Sequence, residues 1–320
     1  MGVRGVTKMT AVVILGVVLS TTGLAGCAFS DPRIDAAPPP AAIDDSLKRD
    51  LDQAAQDTQA LWNTAMTAAN TGGVSPEVSP WSHRATTLKL QWQVLTGPNP
   101  LSRVPAGITA TPGTDTTGVP IGDVDTKLAA LRDADLERAG RSTSTTALFW
   151  ASLAASAEQM RVCLESTVYP DPTAADPAIT VQTTDEASAV AQLLTRYDQA
   201  MSSIRTAVGF IAPDDPDHAR FVAIGDQLAV QQAELLRSAP GAAATEPVTE
   251  GIYEVPAGRD KQASLELLAQ AQRGLTQAAG VWVASAADPK PASAILVSTA
   301  TLGSPWGIGV AVWPGWPDAE

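Results

Sequence analysis

From Val190 to Ile211 the apolar residues fall three and four apart, at Val190, Leu193, Tyr197, Met201, Ile204, Val208 and Ile211. That spacing returns one line of side chains to the same side of an α-helix, whereas a half-buried strand would alternate every second residue. Sustained over roughly 26 residues it predicts about 39 Å of helix. A single amphipathic helix is not stable in water without partners for its stripe, so the pattern commits the chain to a helical bundle.

Its neighbours repeat the pattern. Thr184-Asp185-Glu186 supply an N-terminal cap for the first helix, and Pro213-Asp214-Asp215-Pro216 form a tight turn after it. Asp215 then caps a second helix with Pro216 at its first position, and Phe221, Ile224, Leu228 and Leu235 continue the seam. A loop over 239–259 leads to a third stripe, Leu265, Leu268, Leu275, Ala279 and Trp282, ended by Asp288-Pro289. A short helix over about 291–302 precedes an irregular tail rich in Trp, Gly and Pro.

The first half is helical too, but less regular. Leu47, Leu51, Ala54, Leu61, Ala65 and Ala68 share a stripe that Gly72-Gly73 stop. Pro80 opens a second helix with Trp81, Ala85, Leu88, Trp92 and Leu95 along it, ended by Gly97-Pro98. Residues 97–122 form a long loop of Gly, Pro and Thr, of a length that either drapes over a surface or carries function. Helical spacing resumes at Val124, Leu128 and Leu131, and a further helix over about 143–167 puts Leu153, Met160, Cys163 and Leu164 on one face. No segment reads as a strand, so the fold class is all-α, antiparallel helix bundles split near residues 169–184.

Ahead of the helices stands a targeting segment. Arg4 and Lys8 precede an apolar run, Ala11 to Leu19, and Leu24-Ala25-Gly26-Cys27 then match a lipobox. The run is too short to span a bilayer, which takes about 20 apolar residues. Cys27 is expected to receive lipid and residues 1–26 to be removed, and Pro38-Pro39-Pro40 stiffen a spacer between lipid and fold. The expected layout is a lipoprotein signal peptide at 1–26, lipidated Cys and Pro-rich tether at 27–42, an N-terminal helical domain at 43–169, a helical bundle at 184–303 and a Trp/Pro-rich tail at 304–320. The expected localisation is the extracytoplasmic face of the cell membrane.

Charge and cysteine content narrow the function classes. The chain has 21 Lys+Arg against 34 Asp+Glu, a net charge of −13, which repels phosphate backbones and excludes nucleic acid as the expected partner. With Cys27 lipidated, Cys163 is the one remaining thiol, so no intrachain disulfide is expected and stability must come from packing.

In the second half, Asp214-Asp215-Pro216-Asp217-His218-Ala219-Arg220, Ile252-Tyr253-Glu254-Val255-Pro256-Ala257-Gly258, the helix after them and Val312-Trp313-Pro314-Gly315-Trp316-Pro317 carry a resemblance. Over roughly residues 185–320 the chain resembles an actinobacterial ferritin-like domain family of unknown function. The resemblance implies a ferritin-like four-helix bundle in a secreted or lipid-anchored protein and brings no established reaction. Di-iron bundles of this type need Glu-x-x-His pairs facing inward, and the chain has none. The positions where relatives carry Glu and His fall near Tyr197-Asp198 and Asp226-Gln227. No metal or other cofactor is expected.

Other chemistry-bearing residues have plainer readings. Asp215 and His218 match an acid-x-x-His step, but Asp215 already serves as a cap. His83 lies about 200° around the helix from Trp81 and is expected exposed. Cys163 shares the face of Met160 and is expected buried and inert. Glu158 and Glu165 are spaced like paired carboxylates of hydrolases, yet are expected on the polar face. Gln231 and Gln272 occupy seam positions, where they either bond each other or reach water at a bundle edge. Trp306, Trp313 and Trp316 either dock a partner or fold back over a bundle end. The expected function is therefore binding or scaffolding at the cell envelope, of an envelope protein or small ligand, without catalysis. The alternatives are a ferritin-like metal-dependent oxidoreductase and a transport-linked solute receptor.

Overall fold

Helix α4 (Ser144–Val162) organises the molecule because its central turns are buried all the way round. Every residue from Ala147 to Ala157 is buried, as are Gln159 and Met160, the signature of a helix surrounded by others. The computed structural model describes residues 44–71, 80–97, 121–163, 181, 183–239, 258–308 and 311–316. Cys27 and Glu165 lie outside the described residues, as does the long loop at 98–120.

The described residues are all-helical. Around α4 stand α1 (Asp45–Thr71), α2 (Pro80–Leu95), α3 (Ile121–Gly140), α5 (Glu186–Val208), α6 (Pro216–Ser238), α7 (Lys261–Ser285) and α8 (Pro289–Ala300), followed by a single 3₁₀ turn, Ser304–Trp306. None of the described helices is long and apolar enough to cross a membrane. Their starts follow the sequence closely. Asp185 accepts from Ser188 N, Asp215 from Asp217 N, Asp260 from Ala263 N and Asp288 from Lys290 N, so each helix of the second half opens on an aspartate that satisfies an orphan amide. Helix α4 ends at Val162 with Cys163 as its C-cap, short of the expected end near 167.

The stripes pack as their spacing predicts. Val190, Leu193, Tyr197 and Ile204 of α5, Phe221, Leu228 and Leu235 of α6, and Leu268, Leu275 and Trp282 of α7 are all buried. Complete burial of one such side chain contributes about 1.5–3 kcal/mol of hydrophobic stabilisation. The expected boundary at 169–184 does not divide the core. Leu51, Ala54 and Ala55 of α1 belong to the same apolar cluster as Leu193, Leu268 and Leu296, and the described residues of both halves fall in one compact unit. Helix α7 packs on α5, α8 and α4, so the inner group of helices borrows α4 from the first half, while α6 takes its main helix contact from α5 alone. A smaller cluster, with Leu61, Trp62, Leu88, Leu128 and Met160, closes the far end against α2.

Candidate functional site

Two places in this bundle gather polar side chains, one at each end of α4. At its C-terminal end, Gln272 of α7 is 4% exposed. Its Nε2 donates to the Ala300 carbonyl at 2.5 Å and its Oε1 accepts from Gly303 N at 2.8 Å. Gln159 of α4 donates to the same Ala300 carbonyl. A helix leaves its last carbonyls without intrahelical partners, and here two interior amides complete the end of α8. The Cys163 thiol donates to the Ser304 carbonyl at 3.1 Å, while Arg84 of α2 donates to the Cys163 carbonyl at the end of α4. Gln91 of α2 donates to Ser156 Oγ at 2.8 Å and to the Val312 carbonyl at 3.0 Å.

These bonds hold the tail against the bundle. Trp313 stacks on Phe149 with ring centroids 5.5 Å apart, and Trp313 and Trp316 are each 3% exposed. A Cβ at Gly280 would stand 2.0 Å from the Gly315 carbonyl oxygen, and Gly315 itself has φ +89°, so both glycines are required for the tail to lie this close to α7. Of the two roles left open by the sequence, burial makes Trp313 and Trp316 a cover and withdraws them from any partner. Trp306 is half-buried against Phe221, 5.0 Å between centroids.

The remaining sequence candidates disperse. Gln231 does not meet Gln272; it is half-buried and accepts from the Tyr197 hydroxyl at 3.3 Å. Asp198 accepts from Gln232 at 2.8 Å, and Asp226 and Gln227 point to solvent. Asp215 caps α6 as expected, with His218 half-buried one turn later. His83 is half-buried where exposure was expected. Cys163 is fully buried, and burial pushes its thiol above the usual range, away from nucleophilic reactivity. Glu158 corrects a second expectation. It is not freely solvated but receives Arg161 and Arg132, each at 2.8 Å, and the Arg161 hydrogen bond, with help from Arg132, holds its carboxyl below the usual range. Among the described residues no group of three His, Cys, Asp or Glu converges to hold a metal.

At the N-terminal end of α4 lies a constellation the sequence reading missed. Asp135 and Arg138 of α3 are 1% and 5% exposed and meet at 2.5 Å. Arg138 also faces the Trp150 ring, 5.3 Å from its centroid, and reaches Asp50 of α1 at 4.0 Å. Arg141 holds that same Asp50 at 2.9 Å. The other Asp135 oxygen, Oδ2, is buried without a partner. Burial raises the Asp135 carboxyl to about 7 against the opposing pull of Arg138. A signal was present: Val124, Leu128, Leu131, Asp135 and Arg138 continue one three-four stripe, so two charged residues stand on an apolar seam.

Next to this pair α1 and α3 part to leave a half-open groove of about 360 Å³. Its floor is apolar, with Leu61 and Leu131 buried between Ala60, Ala130 and Ala134, and Asp57 and Lys127 stand on its walls. The Asp57 charge adds to the upward pressure on the Asp135 carboxyl, so groove and buried pair share one field. The volume lies at the small end of ligand pockets, and the arrangement offers an apolar bed with one anion and one cation, without a nucleophile. No family model matches the chain, and no characterised protein or solved structure is detectably similar to it.

Proposed function

We propose that this chain is a lipid-anchored helical binding protein of the cell envelope, working on the extracytoplasmic side without catalysis. The observation that carries the reading is Leu24-Ala25-Gly26-Cys27 placed directly after an apolar run too short to span a bilayer. Lipid on Cys27 would hold the bundle within a Pro-rich spacer of the membrane, in reach of partners and small ligands that come to that surface. The half-open α1–α3 groove between Asp57 and Lys127 is the place in the described residues where a small ligand could rest.

The bundle in this reading is a ferritin-like one turned to binding. What supports dropping metal chemistry is the content of the positions that would supply ligands: Tyr197 is bonded to Gln231 and Asp198 to Gln232, and neither has a histidine beside it. The test is expression of the full chain in a bacterial host with labelled palmitate. Wild type should carry label and fractionate with membranes, and Cys27→Ala should lose the label and appear in the soluble fraction. An unmodified Cys27 by mass spectrometry in the wild-type chain would overturn the proposal.

A further inference from the structure

Arg138 stands between two carboxylates, one on its own helix and one across a helix boundary. Its Nη1 meets Asp135 Oδ1 of α3 at 2.5 Å, and its Nε faces Asp50 Oδ1 of α1 at 4.0 Å. The first pair is internal to α3 and docks nothing. The second, drawn to full contact, would join α1 to α3. Asp50 is otherwise held by the exposed Arg141 at 2.9 Å, a pair that water screens. The Asp135 carboxyl in turn is poorly served as an anion, because its Oδ2 is buried without a donor.

The groups around Asp135 decide what a proton does there. Helices α4, α8 and α1 pack on α3. From α4 comes the Trp150 ring, 5.3 Å from the Arg138 guanidinium, and α4 carries no charge between Ser144 and Ala157. Its first carboxylate, Glu158, is engaged by Arg132 and Arg161. From α8 comes Lys290, which lies against Gly140 beyond Arg138. On α3 itself Asp133 pairs with Arg132, and Glu137 with Arg141. From α1 come Asp50 and Asp57, whose charges add to burial in disfavouring the Asp135 anion, against the pull of Arg138. We propose that Arg138 is a proton-operated clamp between α1 and α3: while Asp135 is ionised the guanidinium is held within α3, and when Asp135 takes up a proton it passes to Asp50 and ties the two helices together. Burial carries the Asp135 carboxyl to about 7, so the clamp closes below neutral pH and opens above it, over the range in which histidine is the usual switch. Ala134, beside Asp135, lines the α1–α3 groove, so proton uptake draws together the helices that bound it. The device is built into the bundle and does not depend on the lipid anchor.

The test follows two signals by NMR on the full chain in mild detergent: the Asp135 carboxyl carbon and the Arg138 Nε–H, the group that faces Asp50. The carbon should titrate near the stated value. From pH 8 to pH 6 the protonated share of Asp135 then rises from about one tenth to about nine tenths. Exchange of the Nε–H with water, corrected for the intrinsic effect of pH, should slow about tenfold as the share without the Asp50 bond falls by that factor. Asp135→Asn, which keeps the shape and stays neutral, should show the slow form at both pH values, and Asp50→Asn the fast form at both. A carboxyl carbon that titrates near its ordinary 3.8 or an Nε–H unchanged between pH 6 and pH 8 would overturn the proposal. So would a fast form in Asp135→Asn, or a pH-dependent change that persists in Asp50→Asn.

Discussion

The two ends of α4 bury polar side chains by opposite means. At the C-terminal end the buried side chains turn to backbone: Gln159 and Gln272 donate to the Ala300 carbonyl, Gln272 also takes the Gly303 amide, and the Arg84 guanidinium, which stays charged throughout the range, donates to the Cys163 carbonyl. These groups complete a helix terminus that would otherwise hold unpaired backbone atoms in the core. At the N-terminal end, Asp135 meets Arg138 with one carboxylate oxygen left unpaired. Two ions removed from water lose much of their mutual attraction to desolvation, whereas an amide that replaces water with a backbone partner loses little. The first end should therefore be insensitive to pH and the second should depend on it.

The largest effect that separates them is expected from Arg138→Met. It leaves Asp135 buried without its cation, which costs about 3–5 kcal/mol when the acid is ionised. Denaturant unfolding at pH 8 should show that loss, and it should shrink toward pH 4 as Asp135 takes up a proton. The sign follows from the wild-type group. Its folded pKa, about 7, lies above its ordinary value of 3.8. The stability it contributes is therefore complete below about pH 4 and is lost as pH rises through 7. An Arg138→Met penalty equal at pH 4 and pH 8 would break the comparison.

A smaller effect belongs to Gln272→Leu. The leucine fills similar volume, but the Gly303 amide loses its acceptor inside the core, for about 1–3 kcal/mol. The loss should be the same at pH 5 and pH 8, since no group that titrates in this range takes part in the bond. A gain in stability on substitution would mean that the amide is not bonded there at all.

How far the sequence shows these two ends depends on what each residue looks like beside its neighbours. The α5 stripe is plain because Val190, Leu193, Tyr197 and Ile204 are large and separated by polar residues. Helix α4 is harder to read, because its buried surface is built of Ala147, Ala151, Ser152, Ala154, Ala155 and Ser156. Small residues have weak hydropathy contrast, so the helix passes for one-sided and Glu158 passes for solvated. The all-helical class and the aspartate caps can be read directly, while the sharing of one core between the halves cannot, since it depends on which stripes meet. Gln272 stands out as polar on a seam, yet its partner is a backbone carbonyl, which leaves no trace in side-chain pattern. Asp135 and Arg138 stand on a seam as well and are hidden by the habit of assigning charges to the surface. In the groove, Ala60, Ala130 and Ala134 are small residues that allow close helix packing, and instead the helices part there.

Gln159→Leu gives the smallest expected effect and the finest distinction at the amide end. The Ala300 carbonyl has two lone pairs and receives both Gln159 and Gln272. Removing Gln159 leaves that oxygen still paired, so the cost is that of one net hydrogen bond, about 0.5–1.5 kcal/mol. In the double variant with Gln272→Leu the oxygen loses both donors and stays buried beside the end of α8. The combined loss should then exceed the sum of the two single losses, because the second deletion exposes a desolvation penalty that neither single deletion reveals. Thermal unfolding of the four chains in one buffer measures the cycle. Simple additivity would mean that the two glutamines act on separate acceptors, and that the end of α8 is completed by Gln272 alone.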